Sequence, residues 1–274
     1  VINVHEDQKD DRYLFFVTQK GVVKRTPVKE FANIRSNGLI ALNLKDHDEL
    51  NNVILTSGQD NILIGTHLGY SVAFKEQDVR SMGRSATGVR GIRLRDHDYV
   101  VGSDILKPDS EVFVISEKGY GKRTAAKEYP IKGRGGKGIK TANITEKNGP
   151  LAGVTTVDGT EDILVMTDSG VMIRFNIQSV SQTGRATLGV RLIRVDDDAK
   201  VATMAKVEPE TDDPEDGNKP DQPTDPQAGP TDPDSKQQPV DGQYAGNADE
   251  QVNKLLDRAE TDQPASDANS DDED

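Results

Sequence analysis

Hydrophobic and polar positions alternate over short stretches along residues 1–207, and the pattern predicts β-strands. Each unit opens on an apolar run, and a second strand-like stretch follows after a turn that ends in glycine. The alternation, the β-branched residues and the Gly, Asp and Asn turns favour strands, and helical spacing is nowhere sustained. The first stretches are YLFFVT, NILIGT, EVFVIS and DILVMT, and the second are GVVKRT, GYSVAF, GYGKRT and GVMIRF.

Two further strands are predicted in each unit. A polar connector of roughly ten residues leads to a glycine-bearing loop, which opens the third strand. An acidic turn then leads to the fourth strand. The third strands are predicted at GLIALNL, GVRGIRL, GIKTANI and GVRLIRV, and the fourth at ELNNVILT, YVVGSDIL, PLAGVTTV and KVATMAKV.

Two series of glycines show that these units are repeats. Gly21, Gly69, Gly119 and Gly170 follow the first strands, and Gly38, Gly88, Gly138 and Gly189 open the third. Both series keep a period of about 50 residues, and four strands per 50-residue repeat is typical of propeller blades. We therefore predict an all-β, propeller-like array of four-stranded blades, each stabilised by stacking on its neighbours. The opening VINV fits the last strand of a preceding blade, so we expect a fragment of a longer protein.

The composition changes at residue 208 and divides the chain into a body (1–207) and a tail (208–274). Nine of the 13 prolines and 21 of the 47 acidic residues lie in the tail, which has 4 basic residues. The tail therefore has a net charge of -17 and the body, with 26 acidic and 30 basic residues, of +4. A segment so poor in large apolar residues cannot offset its ordering entropy, so we predict a disordered acidic tail.

The composition also limits where the protein can be located in the cell and which kinds of chemical site it can form. The chain has no cysteine, which excludes disulfides and thiolate metal sites and is compatible with a reducing cytosol. No apolar run approaches the length of a membrane helix, and no signal peptide opens the chain. His47 and His97 lie in matching DHD turns, but the third and fourth repeats lack this histidine, so turn residues are a better interpretation than metal ligands. No nucleophile or phosphate-loop motif appears, and we expect a non-catalytic segment with no cofactor.

The candidate chemistry is a set of basic residues that recur in register with the repeats. An arginine precedes the second glycine of each repeat, and further cations lie on the second and third strands. Glycine next to arginine lets backbone N–H groups approach a phosphate, while the guanidinium supplies a bidentate donor. If the loops share one edge, they form a curved, positively charged track suited to the backbone of duplex DNA. The alternative is that these lysines and arginines are simply solvated residues of turns. The candidates are Lys24, Arg25, Arg35, Arg84, Arg90, Arg93, Lys122, Arg123, Lys132, Arg134, Lys137, Lys140, Arg174, Arg185, Arg191 and Arg194.

Several stretches resemble a known family. GYGKRTAAKEYP, TGVRGIRL and LTSGQDNILIGT are similar to the C-terminal domain of DNA gyrase A subunits and, less closely, to its topoisomerase IV counterpart. The resemblance covers residues 1 to about 207 and implies a six-bladed β-pinwheel with strands exchanged between blades, of which this chain supplies blades three to six. The stretch KGRGGKG (132–138) resembles a degenerate copy of the family's first-blade box, which implies a DNA-bending role for Arg134 and Lys137.

The resemblance also implies the biological setting. The domain wraps double-stranded DNA, and the bacterial, cytoplasmic holoenzyme introduces negative supercoils. ATP and Mg belong to the holoenzyme, whose gyrase B partner and second A protomer join through the N-terminal part that also holds the DNA-cleaving tyrosine. A propeller-type protein-interaction scaffold is the alternative, although the repeats lack tryptophan and a GH…WD pattern. We further expect the acidic tail to compete with DNA for the basic track.

Overall fold

The computed structural model describes residues 12–32, 38–196 and 198–209, and it confirms the all-β fold. The first strand of each repeat keeps the predicted bounds: β1 (Tyr13–Thr18), β4 (Asn61–Thr66), β8 (Glu111–Ser116) and β12 (Asp162–Thr167). The second strands are β2 (Val22–Pro27), β5 (Tyr70–Lys75), β9 (Tyr120–Ala125) and β13 (Met172–Asn176). The fourth strands are β3 (Leu50–Thr56), β7 (Val100–Ile105), β11 (Leu151–Val157) and β15 (Val201–Val207).

The third strands are much shorter than predicted. They are the two-residue strands β6 (Val89–Arg90), β10 (Ile139–Lys140) and β14 (Val190–Arg191), and residues 38–44 form none. We call the four stretches 38–44, 88–94, 138–144 and 189–195 the third segments. A short 3-10 turn follows each second strand, at Val28–Phe31, Glu76–Asp78, Ala126–Glu128 and Ile177–Ser179.

The sheets exchange strands between repeats. Three sheets have the orders β3-β1-β2-β6, β7-β4-β5-β10 and β11-β8-β9-β14, and all the pairs are antiparallel. Each therefore contains the first, second and fourth strands of one repeat and the third segment of the next. The fourth sheet, β13-β12-β15, has three strands among the described residues.

The third segments are short because their apolar residues pack between sheets after the two-residue pairing ends. In three repeats the backbone N–H of the residue after the pair donates to the carbonyl of the preceding repeat's first glycine. The next side chain, Ile92, Ala142 or Ile193, is then buried. The three hydrogen bonds are Gly91 to Gly21 (2.8 Å), Thr141 to Gly69 (2.8 Å) and Leu192 to Gly119 (2.9 Å).

The hydrophobic core lies between successive sheets, as the stacking of repeats predicts. One cluster joins the first and second sheets, where the rings of Phe15 and Phe74 lie 6.3 Å apart. A second cluster joins the second and third sheets, and a third joins the third and fourth. Apolar burial between repeats, at roughly 25 cal/mol per Å², therefore stabilises the array.

The fourth strands lie at the centre of the array. β3, β7, β11 and β15 are neighbours and line a cleft of about 560 Å³. Gly102 on β7 lies so close to β11 that an added Cβ would be 2.1 Å from the carbonyl oxygen of Val154. Because each sheet has its fourth strand at this inner edge, the exchanged third segment forms the opposite, outer edge.

Some predictions fall outside the described residues. They include the strand at VINV and nearly all of the predicted disordered tail, and they stay predictions. Among the described residues, no helix is long and apolar enough to cross a membrane.

Candidate nucleic-acid interface

The glycine-bearing loop of each repeat lies beside the third segment of the repeat before it. We call residues 82–87, 132–137 and 183–188 the basic loops. Equivalent residues of three third segments, Asn43, Arg93 and Asn143, each donate a hydrogen bond to a carbonyl of the next basic loop. The three bonds are Asn43 Nδ2 to Ser85 O (2.7 Å), Arg93 N to Gly136 O (2.8 Å) and Asn143 N to Thr187 O (3.0 Å). The loops and third segments therefore form one continuous outer edge.

The glycines that open three of the third segments, those at 88–94, 138–144 and 189–195, have a packing role. Gly88 and Gly138 have φ of +100° and +75°, and an added Cβ would lie 2.5 Å from Val23 O and 2.7 Å from Ser71 O respectively. A Cβ added at Gly189 would likewise lie 2.7 Å from the carbonyl oxygen of Gly121. These glycines let the chain cross onto the neighbouring sheet, whereas Gly133, in a basic loop, has open space around its Cβ position.

Half of the predicted cations are exposed on this outer edge. Arg90, Lys140 and Arg191 occupy the same position, the last residue of β6, β10 and β14. The remaining five lie on third segments or within a single basic loop. The exposed residues are Arg90, Arg93, Lys132, Arg134, Lys137, Lys140, Arg191 and Arg194.

Several guanidinium groups on the edge are held by neighbours that leave other N–H groups available. Arg134 donates from Nε to Asp78 O at 2.9 Å and from an Nη to Arg90 O at 3.0 Å. Arg191 donates from Nε and an Nη to the hydroxyl of Tyr120, at 3.2 and 2.9 Å. Guanidinium carries five donors, so both side chains keep donors for an anion. Because these hydrogen bonds already fix both side chains, binding an anion costs little further side-chain conformational entropy.

The structure adds Arg95, which sequence reasoning missed. Its guanidinium carbon lies 3.2 Å from the ring centroid of Tyr70, and an Nη donates to the carbonyl of Lys137 at 2.8 Å. It therefore joins the edge of the second repeat to the basic loop of the third. Arg95 could have been found from its position two residues after Arg93, because side chains two residues apart lie on the same side of an extended segment.

Three predicted arginines on the second strands instead face carboxylates. Arg123 donates to Glu111 at 2.6 Å, and Arg25 lies 4.0 Å from the buried carboxylate of Glu76. Arg174 donates from Nε to Asp162 at 2.8 Å. These pairs neutralise the arginines within or between sheets, so we do not include them in the interface.

Lys24 and Lys122, which the sequence suggests as DNA contacts, are fully buried, so we do not place them on the DNA-facing surface. The ammonium groups donate to backbone carbonyls of the outer edge. Burial, together with the nearby Arg84 guanidinium, lowers the pKa of Lys24 to about 8. Burial also lowers the pKa of Lys122 to about 8, against the raising effect of Glu128.

The remaining predicted arginines precede the second glycines. Arg84 is half-buried, and its guanidinium donates no hydrogen bond within the described ranges. Arg185 is also half-buried; its side chain donates to Lys140 O and its backbone N–H to Glu128 Oε2 at 2.9 Å. Arg35 lies outside the described residues.

The DHD turns have a structural explanation. His47 and His97 adopt left-handed φ values of 57° and 60°. The following aspartates, Asp48 and Asp98, each accept hydrogen bonds from the next backbone N–H and from the hairpin turn between the first two strands of the repeat, at Lys20 N or Leu68 N (both 2.9 Å). Within the part of the chain that the structure describes, no three His, Asp or Glu side chains converge on a possible metal site.

Comparison with known proteins identifies the family. The sequence-family model described as the DNA gyrase C-terminal domain, beta-propeller, matches residues 12–57, 60–107, 110–158 and 161–208. The chain belongs to this family. The four matches coincide with the four repeats and confirm the resemblance seen in the sequence.

Curated relatives of this family cover the same part of the chain. The DNA gyrase A subunit of Staphylococcus aureus strain MRSA252 is 49% identical over 214 residues, 77% of this chain and 24% of the relative. The protein of strain NCTC 8325 is 49% identical over 215 residues, 78% of this chain and 24% of the relative. The chain thus spans about a quarter of the length of these relatives.

Solved structures of two domains share the fold. The C-terminal domain of DNA topoisomerase IV superposes with a TM-score of 0.70 at 26% identity, over 74% of this chain and 64% of that one. The DNA gyrase A C-terminal domain superposes with a TM-score of 0.66 at 24% identity, over 75% of this chain and 72% of that one. Both support the gyrase-family propeller architecture.

Proposed function

We propose that this chain is the part of a DNA gyrase A subunit that binds and wraps duplex DNA along its outer edge. The observation that carries the proposal is the continuity of that edge, in which hydrogen bonds join consecutive basic loops and third segments. Cations exposed at a repeated position fit a regularly spaced phosphate backbone better than they fit a discrete ligand. The 49% identity to a gyrase A subunit favours gyrase over topoisomerase IV.

The energetics are consistent with wrapping. Smooth bending of 20–30 bp by 40–90° costs on the order of 1–6 kcal/mol. Each phosphate contact releases counterions and contributes about 0.9 to the slope of log affinity against log salt concentration. The eight exposed cations of the edge, with Arg95, therefore supply a contact set of adequate size for one bend. Backbone contacts carry no direct sequence information, so the binding is expected to be largely independent of sequence.

The rest of the holoenzyme performs the chemistry. We infer that the wrapped duplex is presented to a cleavage centre in another part of the A protomer, and that the gyrase B partner supplies ATP and Mg-dependent strand passage. The outcome is the ATP-dependent introduction of negative supercoils in the bacterial cytoplasm. The corresponding topoisomerase IV domain is the second candidate, favoured by the TM-score of 0.70. Supercoiling of relaxed plasmid by the holoenzyme, as opposed to decatenation alone, distinguishes the two.

The test is a linking-number assay with a charge-matched control. Relaxed plasmid is incubated with the domain and a type I topoisomerase, and the topoisomers are then separated. The variant Arg90→Ala/Lys140→Ala/Arg191→Ala removes the repeated edge position. The control Lys75→Ala/Lys107→Ala/Lys127→Ala removes three exposed lysines outside the basic loops and third segments.

We expect the wild type and the control to shift the topoisomer distribution to one hand, and the edge variant to lose the shift. We also expect the salt slope of duplex binding to fall by roughly 3 in the edge variant, since three phosphate contacts are removed. Equal losses in the two triple variants would show that general charge is responsible and not the edge. No shift with the wild type would contradict wrapping.

A further inference from the structure

Two buried lysines occupy the same position in the first and third repeats. Lys24 on β2 and Lys122 on β9 are fully buried, yet neither ammonium makes a salt bridge in the described structure. Lys24 lies over the ring of Phe16, with Nζ 5.3 Å from the ring centroid. A buried cation without a carboxylate partner costs free energy, so a compensating interaction is expected.

The compensation comes from the main chain of the outer edge. Lys24 Nζ donates to Ala41 O at 2.6 Å and to Arg84 O. Lys122 Nζ donates to Gly184 O (2.8 Å), Arg185 O (2.6 Å) and Thr187 Oγ1 (3.1 Å). Both lysines thus bond to the basic loop of the following repeat, at the carbonyl of the arginine that precedes its second glycine.

The other two repeats show that the strand itself does not need the lysine. Val72 on β5 and Ile173 on β13 occupy the same position, so an apolar side chain fits this place in the sheet. Above Val72 the basic loop 132–137 encloses a cavity of about 220 Å³ where the other loops have an ammonium group beneath them. This loop is held from the outside, through the bonds of Arg134 to Asp78 O and Arg90 O.

We propose that Lys24 and Lys122 are positioning residues that hold the basic loops at Arg84 and Arg185 in the conformation that receives DNA phosphates. The proposal rests on the proposed function and adds interior residues to it. Each lysine acts through the main chain of the loop and does not contact DNA. Charge-assisted hydrogen bonds to loop carbonyls are stronger than neutral ones, and they fix the loop before DNA arrives.

The burial of the two lysines makes the stability of the folded protein depend on pH. The pKa of each lysine is lowered to about 8, with Arg84 facing Lys24, and both Glu128 and Arg185 facing Lys122. Below pH 8 the ammonium offers three protons to the loop, and above it the neutral amine offers two. Because each pKa lies below the ordinary lysine value of 10.5, the folded protein binds this proton less tightly than the unfolded chain does, and the free energy of unfolding rises as the pH increases from about 8 towards 10.5.

The test measures both the exposure of the basic loops to trypsin and the affinity for duplex DNA, in the wild type and in lysine variants. Lys122→Met keeps the apolar stem and removes the charge, Lys122→Ile introduces the residue of the fourth repeat, and Lys24→Met examines the other site. Lys127→Met, an exposed lysine on the adjacent 3-10 turn, is the charge-matched control. Trypsin cleavage after Arg185 or Arg84 in the folded domain reports the loop, and affinity for a 30-bp duplex reports function.

We expect Lys122→Met to raise the rate of cleavage after Arg185 about tenfold, with unchanged cleavage after Arg134. We also expect its DNA affinity to fall severalfold at pH 7, and its free energy of unfolding to lose the increase that the wild type is expected to show between pH 8 and 10. Lys24→Met should act in the same way at Arg84, and Lys127→Met should do neither. If Lys122→Met does not fold, Lys122→Ile provides the same comparison.

Unchanged cleavage after Arg185 in the folded Lys122 variants, or after Arg84 in folded Lys24→Met, would overturn the proposal, even if DNA affinity fell, because lost charge would then explain the effect. An identical pH dependence of the free energy of unfolding between pH 8 and 10 in the wild type and the variants would also overturn it. If the wild type bound no duplex, the proposed function would fail, while the cleavage assay would still decide whether the lysines hold the loops.

Discussion

At the scale of single residues, the position along the repeat decides what a glycine does. Three glycines of the second series are explained by crossing between sheets, since Gly88, Gly138 and Gly189 have positive φ and touch the neighbouring backbone. Glycines inside the basic loops, such as Gly133, are free of these contacts. The period in the sequence identified the crossing glycines, but the backbone contacts that explain them come from a strand about 65 residues away and leave no local signal.

This difference predicts opposite outcomes for two neighbouring substitutions. Gly138→Ala is expected to lower the free energy of unfolding by about 1–3 kcal/mol, since Cβ is strained at φ +75° and meets Ser71 O. Gly133→Ala is expected to change it by less than about 0.5 kcal/mol. Urea denaturation followed by circular dichroism provides both values. Equal destabilisation by the two alanines would disprove the crossing role.

The charged residues of the second strands show a limit of sequence reasoning. In the stretch KRT, which begins at Lys24 and again at Lys122, both cations are candidate DNA contacts in the sequence, because the local pattern does not reveal which face of the strand is covered. Comparison with the other repeats would have indicated burial, since Val72 and Ile173 occupy the position equivalent to these lysines. An apolar residue at the equivalent place marks an interior position, and a lysine there needs carbonyl partners from elsewhere in the chain.

At the scale of elements, the strands were predictable and their partners were not. Alternation and turn residues located the first, second and fourth strands to within a residue or two, because those signals are local. The same local pattern is compatible with a third segment that pairs within its own repeat or with the repeat before it. The family resemblance implied exchange, and the pairing of β6 with β2 shows it directly.

Strand exchange predicts how backbone amides are protected. The N–H groups of Gly91, Thr141 and Leu192 donate across repeats, so they exchange only when neighbouring sheets separate. Native-state hydrogen exchange should therefore give these amides the same opening free energy as the amides of β4 and β8. Exchange of Thr141 at a much lower opening free energy than β4 would mean that the third segment detaches alone.

At the scale of the whole molecule, the inner and outer edges of the sheets have different compositions. The inner edge consists of fourth strands around the central cleft, and the outer edge presents cations on loops and third segments. In the fourth sheet the second strand β13 has no third segment beside it among the described residues, and Val171 and Met172 are exposed by 49% and 54%. Equivalent residues of the other sheets are covered by β6, β10 and β14.

The most direct test of this division is a lysine footprint with bound duplex. The domain is acetylated briefly, with and without a 30-bp duplex at low salt, and the modified residues are quantified by mass spectrometry. We predict that DNA protects Lys132, Lys137 and Lys140, while Lys107 and Lys127 react equally in both samples and buried Lys24 and Lys122 react slowly in both. Protection of Lys107 and Lys127 with undiminished reaction at Lys132, Lys137 and Lys140 would contradict DNA binding at the outer edge.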